Sequence, residues 1–514
     1  MALASLWFAP EVNPINQKAK TIPIFNPLNQ YGRVFFFSWL SFLLAFWSWY
    51  AFPPLLSDVI AGDIRVSRNV VSNSNVIALT ATLLVRLIAG PSCDRFGPRL
   101  TFAGCLLLGA IPTFLAGTIK SAAGLYAIRF FVGILGGSFV PCQVWTTGFF
   151  DKNIVGTANS LTAGLGNAGG GITYFVMPAI YNSLRTQRGL SPSVAWRVSF
   201  VVPGIIITTA AIALILLCPD TPTGRWSDRF IATENNLRTH SVDGTVVDVP
   251  GHLGQTPATA RSQSSSDLGD EEKKIDKTHT PAGFAEGDAH MISHDMVDTT
   301  RGEVIQKPSW SGMIRVIFSG PTLVTGACYF CTFGAELSIN SILGTYYQRS
   351  LRLGLQDAGN LAAIFGLLNV IMRPLGGVAS DYIYRRTGSV WSKKILLHSY
   401  CVMTGLFCVI IGVTNPKKEA ALVGLISGGL AFFLEGANGL NYSLVPHVHS
   451  HANGIVSGFT GACGNLGGIV FAIIFRYNGT NYPKVFYIIG AIIIGLQVLT
   501  CWIRPVPKGQ MAGK

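Results

Sequence analysis

Apolar stretches close to the length of a bilayer crossing recur along this 514-residue chain and leave few folds open to it. A helix needs about 20 residues to span a hydrocarbon core roughly 30 Å thick. Twelve such stretches lie near 34–56, 73–92, 100–120, 123–147, 154–180, 197–218, 317–343, 358–380, 395–414, 420–445, 454–476 and 484–503. Only 12% of residues are charged, against about a quarter in a soluble domain. The expected architecture is all-α: a polytopic membrane protein with twelve transmembrane helices in two six-helix bundles. The bundles would occupy 34–218 and 313–503, with a central loop at 219–312 and tails at 1–33 and 504–514. The first 32 residues lack the apolar core of a cleavable signal, so none is expected. Most of the ten cysteines, Cys328 and Cys331 included, fall within spans and are read as packing residues, not as a disulfide framework.

The net charge of +13 is unevenly shared. From Pro219 to Gly312 nine Lys/Arg face fifteen Asp/Glu, a balance of −6, so the remainder carries +19. The central segment is polar and poor in aromatics, which predicts a largely disordered linker. Arg261-x-x-Ser264 within it offers a kinase a candidate target. A basic membrane domain suits anionic lipid or an anionic cargo and does not choose between them.

The two halves repeat each other. LLVRLIAGPSCDRFGPR places Arg86, Gly90, Asp94 and Arg99 in span two, and NVIMRPLGGVASDYIYRR places Arg373, Gly377, Asp381 and Arg386 in span eight. In both, aspartate follows arginine by eight positions. Spans five and eleven share a second pattern, in which Asn167 and Asn465 follow Gly156 and Gly454 by eleven positions and precede x-Gly-Gly. Two matches at fixed spacing predict an internal duplication, as in transporters built from six-helix repeats. The run Gly164-x-Gly166-x-x-Gly169 has dinucleotide-fingerprint spacing, yet it sits inside an apolar span, without the strand and turn that a nucleotide site requires. It is read, with Gly170, Gly464, Gly467 and Gly468, as a surface on which membrane helices pack closely.

Depth makes the arginines notable. Eight residues from a membrane-exit aspartate is about 12 Å, and eleven from a helix start about 16 Å. Arg86, Arg373, Asn167 and Asn465 therefore reach one level near the midplane. An arginine there costs at least about 2.5 kcal/mol on insertion scales. Two readings stay open: ion pairs with the intramembrane Glu336 and Glu435, or a site for a planar oxyanion, whose geometry the guanidinium fork matches. Tyr329, Phe333 and Glu336 share one face of span seven, and Phe139 in span four could supply a further aromatic wall. His447, His449 and His451 alternate in a loop, which gives no fixed metal geometry. No metal ligands, cofactor site or catalytic constellation stand in credible context, so an enzyme is not expected.

The segment Gly90–Arg99, with Asp94, Arg95 and Gly97, resembles the gating loop of the major facilitator superfamily, and Arg129-x-x-x-Gly133 resembles its span-four motif. AGLGNAGGG and GACGNLGG resemble the paired signatures of the nitrate/nitrite porter family within it, and the likeness runs from PEVNP at Pro10 to the tail. Fungal high-affinity nitrate transporters are the expected kin. The resemblance implies nitrate binding by Arg86, Arg373, Asn167, Asn465, Tyr329, Phe333 and Phe139, with nitrite as a second substrate. It also implies proton symport, with Glu336 and Glu435 as coupling candidates, and a multi-pass plasma-membrane protein with cytoplasmic termini and central loop. Charge alone is nearly silent on orientation, with thirteen Lys/Arg on the expected cytoplasmic side against twelve opposite. A nitrate/nitrite exchanger and a non-transporting receptor are the alternatives. Neither nucleic acid nor a cofactor is expected as a partner.

Overall fold

The structure, a computed structural model, describes residues 6–13, 16–228, 310–353, 355–449, 452–478 and 481–507. Twelve long helices run through them: α1 Gln30–Trp49, α2 Arg68–Phe96, α3 Pro98–Phe114, α4 Ala122–Phe149, α5 Val155–Thr186, α6 Pro192–Leu217, α7 Gly320–Leu351, α8 Asn360–Thr387, α9 Val390–Thr414, α10 Glu419–Val448, α11 Asn453–Asn478 and α12 Tyr482–Thr500. Eleven are long and apolar enough to cross a membrane. The other is α5, in which glycines and asparagines dilute the hydropathy, although at 32 residues it is long enough. No strand occurs among the described residues beyond isolated bridges. Most of the central loop, with Arg261 and Ser264, lies outside the described residues, as does His451.

The duplication is visible in the packing. α1 lies along α5 as α7 lies along α11, and α3 packs on α6 as α9 packs on α12. The halves meet through α2 against α11 and, at the equivalent place, α8 against α5. Helical regularity breaks in both α4 and α10, at different positions and in different ways. α4 tightens into a 3₁₀ segment at Gly133–Ser138, and α10 widens into a π segment at Gly424–Leu430. Large apolar side chains such as Ile88, Leu108, Ile205, Leu216, Ile395 and Val413 stay exposed on the outside, where hydrocarbon would cover them.

Glycines set the tightest approaches. A Cβ on Gly467 would lie 2.1 Å from the Phe330 carbonyl of α7, and one on Gly169 would lie 2.1 Å from the Leu43 carbonyl of α1. These contacts are backbone against backbone, so no rotamer change could relieve them. Gly467→Ala should therefore destabilise the protein by about 1–3 kcal/mol. Gly495→Ala on α12, with nothing within 4 Å, should be neutral or stabilising. Thermal unfolding of the two variants in detergent checks the contrast, and equal melting temperatures would refute it.

Candidate functional site

Arginines from both halves meet at the ring of Phe333 on α7. The Arg86 guanidinium of α2 lies 5.2 Å from its centroid and the Arg373 guanidinium of α8 lies 5.8 Å from it. Tyr329 stacks on the same ring at 4.8 Å with 5° between planes. Phe139 of α4 stands 4.9 Å from Arg86 and nearly parallel to Tyr329, 6.2 Å between centroids. Both arginines are buried, each 1% exposed.

Their partners differ. Arg86 Nε donates to the Gly136 carbonyl in the 3₁₀ segment of α4, and Nη1 donates to the Gly461 carbonyl of α11, both at 3.0 Å. Arg373 Nη2 lies 3.3 Å from Glu336 Oε2, while its Nε and Nη1 have no hydrogen-bond partner. Of the two readings left open above, the ion pair holds for Arg373 and not for Arg86. Glu336 also accepts from Asn369 at 2.7 Å and Asn438 at 2.8 Å. Glu435 is wholly buried, within electrostatic reach of Glu336 and Arg373. The Tyr329 hydroxyl is unpaired as well. Buried donors left without a partner here include Arg373 Nε and Nη1 and Tyr329 Oη.

Asn167 and Asn465 turn inward along their own helices. Asn167 Nδ2 donates to the Ala163 carbonyl at 2.9 Å, and Asn465 Nδ2 donates to the Gly461 carbonyl at 3.1 Å. Asn465 and Arg86 thus share one acceptor. Asn167 lines a small cavity with Tyr50, Gly170, Phe333, Glu336 and Asn369. Gly464 packs on Tyr329 and Phe333, whereas Gly164, Gly166 and Gly468 pack on Pro374, Phe42 and Leu337. Those three serve helix contact more than site lining.

At one end of the bundles the two motif aspartates join the halves. Asp94 accepts from the backbone N–H groups of Gly454 and Ile455, each at 3.0 Å, at the start of α11. Asp381 accepts from the Thr157 N–H at 2.6 Å and hydroxyl at 2.8 Å, at the start of α5. Each carboxylate thus satisfies orphan donors at a helix N-terminus, where the helix dipole favours negative charge. Gly90 lies against Gly454 and Gly458 beside the first latch, leaving no space for a Cβ. Gly97 turns the chain at φ +92° under Trp226. Arg95 is exposed, against Phe96. Arg99 pairs with Asp220 and donates to the Cys218 carbonyl at 2.7 Å, closing the end of α6. The sequence repeat pairs Arg99 with Arg386, but Arg386 stacks on Tyr382 of its own helix. Lys394 instead donates to the carbonyls of Thr500, Cys501 and Ile503 at the end of α12.

Several participants were not singled out from sequence: Tyr442, Asn369, Asn438 and Lys393. Glu435, Asn438 and Tyr442 are spaced three and four apart, one helical face, which was the available signal. The Tyr442 ring meets Phe139 and Tyr329 edge-on at 4.6 and 5.0 Å, and its hydroxyl donates to the Ser457 carbonyl at 2.9 Å.

Residues 38–472 match the Major Facilitator Superfamily. The chain belongs to this superfamily. Its fold resembles the proton:xylose symporter XylE, with TM-score 0.57 and 13% identity over 91% of this chain and 94% of that one. It also resembles the E. coli fucose:proton symporter FucP, with TM-score 0.51 and 14% identity over 91% and 99%. By sequence it is 52% identical to Elsinochrome transporter 1 of Elsinoe fawcettii over 99% of both chains. It is 29% identical to High affinity nitrate transporter 2.5 of Arabidopsis thaliana, over 94% of this chain and 81% of that protein. A third relative is the Nitrate/nitrite transporter NrtP of Nostoc punctiforme, 24% identical over 93% of both. The expected kinship with fungal nitrate transporters is thereby corrected: the fungal relative at 52% is named for elsinochrome, and those named for nitrate are distant. The chain is a multi-pass membrane transporter.

Lys393 Nζ and Asp381 Oδ1 pair at 3.0 Å, both fully buried. Removing only the carboxylate strands a buried ammonium. Asp381→Asn should therefore cost about 3–5 kcal/mol of stability, and adding Lys393→Met should restore most of it. Thermal melts of the single and double variants test this, and a single variant as stable as the parent would refute it.

Proposed function

We propose that the chain imports nitrate, with nitrite as a further substrate, in symport with protons, holding the anion between Arg86, Arg373 and the aromatic wall. The observation that carries this reading is the pair of buried guanidinium groups, one from each half, resting on a single ring. The two guanidinium groups face two buried carboxylates, Glu336 and Glu435, so a proton taken up by one of them would leave one net positive charge, which a single nitrate would cancel. Phe139 and Tyr329, near parallel at 6.2 Å between centroids, approach the roughly 7 Å that two stacked contacts on a flat ion would need. The distant relatives named for nitrate agree with this cargo.

Proton coupling follows from energetics. An inside-negative potential opposes a monovalent anion by about 2.3 kcal/mol per 100 mV, so uphill import needs accompanying cations. One proton on Glu435 would neutralise the cargo, and a second would let the voltage assist. On the same reading the Asp94 and Asp381 latches lie at the cytoplasmic side of a plasma-membrane protein, and alternating access breaks and remakes them.

A second reading is transport of elsinochrome, favoured by the 52% relative. Reconstituted vesicles separate the two. Nitrate uptake accelerated by an inward proton gradient, with no elsinochrome movement, is the expected result; elsinochrome movement without nitrate uptake would reverse it. Arg373→Lys should reduce nitrate uptake at low concentration by about ten-fold or more, because a point charge cannot replace the fork. Glu435→Gln should retain nitrate binding but lose the acceleration by a proton gradient.

A further inference from the structure

A third buried arginine has no place in the central site. Arg129, on α4, is 1% exposed. Its Nη2 donates to Asn75 Oδ1, and its Nε and Nη1 have no partner. Among the described residues it makes no ion pair. Its guanidinium lies 5.3 Å from the ring of Phe52 and 6.0 Å from that of Trp49, with Tyr50 and Tyr174 within electrostatic reach. This repeats the chemistry around Arg86, a guanidinium against aromatic faces, but with two donors left open. An unneutralised cation buried in protein is costly unless something else supplies the charge.

Its position suggests what does. Asn75 precedes Arg86 on α2 by eleven residues, about 16 Å along the helix and away from the Asp94 latch. Tyr50 lies within electrostatic reach of both Arg129 and Arg86 and lines the cavity that holds Asn167, Phe333 and Glu336. From the unlatched side, an anion would meet Arg129 first and Tyr50 next.

We propose that Arg129, with Asn75, Trp49 and Tyr50, forms a second, outer station for a small inorganic anion, which loads the central site. The proposal rests on the reading of the central site as an anion site. The station captures anion ahead of the central pair, so its loss should raise the KM for uptake by about ten-fold, the worth of one charge-assisted hydrogen bond, and leave kcat little changed.

The test uses the full-length protein in detergent with sodium nitrate as the probe. Nitrate binding beside Trp49 should produce a saturable change in tryptophan fluorescence that is absent from Trp49→Phe. Arg129→Gln should lose this component. So should Asn75→Asp, which gives Arg129 an internal counter-ion and should keep the melting temperature at or above that of the parent. Arg373→Ala should keep it. A component that persists in folded Asn75→Asp, or no saturable Trp49 component in the parent, would overturn the proposal. Should Arg373→Ala leave uptake unchanged while Arg129→Gln still removes the Trp49 component, the central reading falls and the outer station stands.

Discussion

The structure is organised around the cost of holding guanidinium groups inside a membrane. Such a group must find either an opposite charge or a set of aligned acceptors, and the two halves solve this differently. Arg373 leans on Glu336, itself held by Asn369 and Asn438. Arg86 has only carbonyls, at Gly136 and Gly461. The first lies in the 3₁₀ segment of α4, where the ladder is irregular and a carbonyl can turn towards another donor. A break in helix geometry in one element thus supplies the acceptor that lets a charge reside in another.

Close helix contact serves the same end. Glycines let α7 meet α11 backbone to backbone, which fixes Tyr329 and Phe333 as a stack beside Gly464. The same contact on the pseudo-symmetric side holds α1 against α5. The halves then join at α2–α11 and α5–α8, with each motif aspartate capping a helix of the opposite half. The capped helices also carry the asparagine signatures, so the latches and the elements bordering Arg86 and Phe333 belong to the same helices.

Much of this could be read from sequence because it depends on spacing along single helices. Twelve apolar stretches, an Arg-to-Asp interval of eight and a Gly-to-Asn interval of eleven are properties of one strand of chain, and they located the helices and pointed to the duplication and to the two arginines that meet at Phe333. Choices that depend on register between helices were not legible. Nothing along α10 says that Asn438 reaches Glu336 and that Tyr442 reaches Ser457. Nor does the sequence show that each signature asparagine spends one amide hydrogen on a carbonyl four residues back on its own helix, an alternative always available to a polar side chain in an apolar setting. Arg386 was matched to Arg99 by position, yet the end of α12 is closed by Lys394, because the distance between helix ends, and not the repeat, selects the donor.

Framework and cargo make separate demands. Glycine contacts, aspartate latches and helix-end cations serve the packing of the membrane fold, and a shared fold does not by itself choose a cargo. On the proposed reading cargo depends on few positions: the guanidinium groups of Arg86 and Arg373 with the carboxylates beside them, and the rings of Phe139, Tyr329, Phe333 and Tyr442 that limit the space there. Those rings meet at centroid distances of 4.6 to 6.2 Å. A thin ion asks them to part slightly, whereas a wide cargo asks the stack to dissolve and strips the arginines of the faces that shelter them. The physical cost of enlarging the site therefore falls on the same two charges whose burial organises the fold.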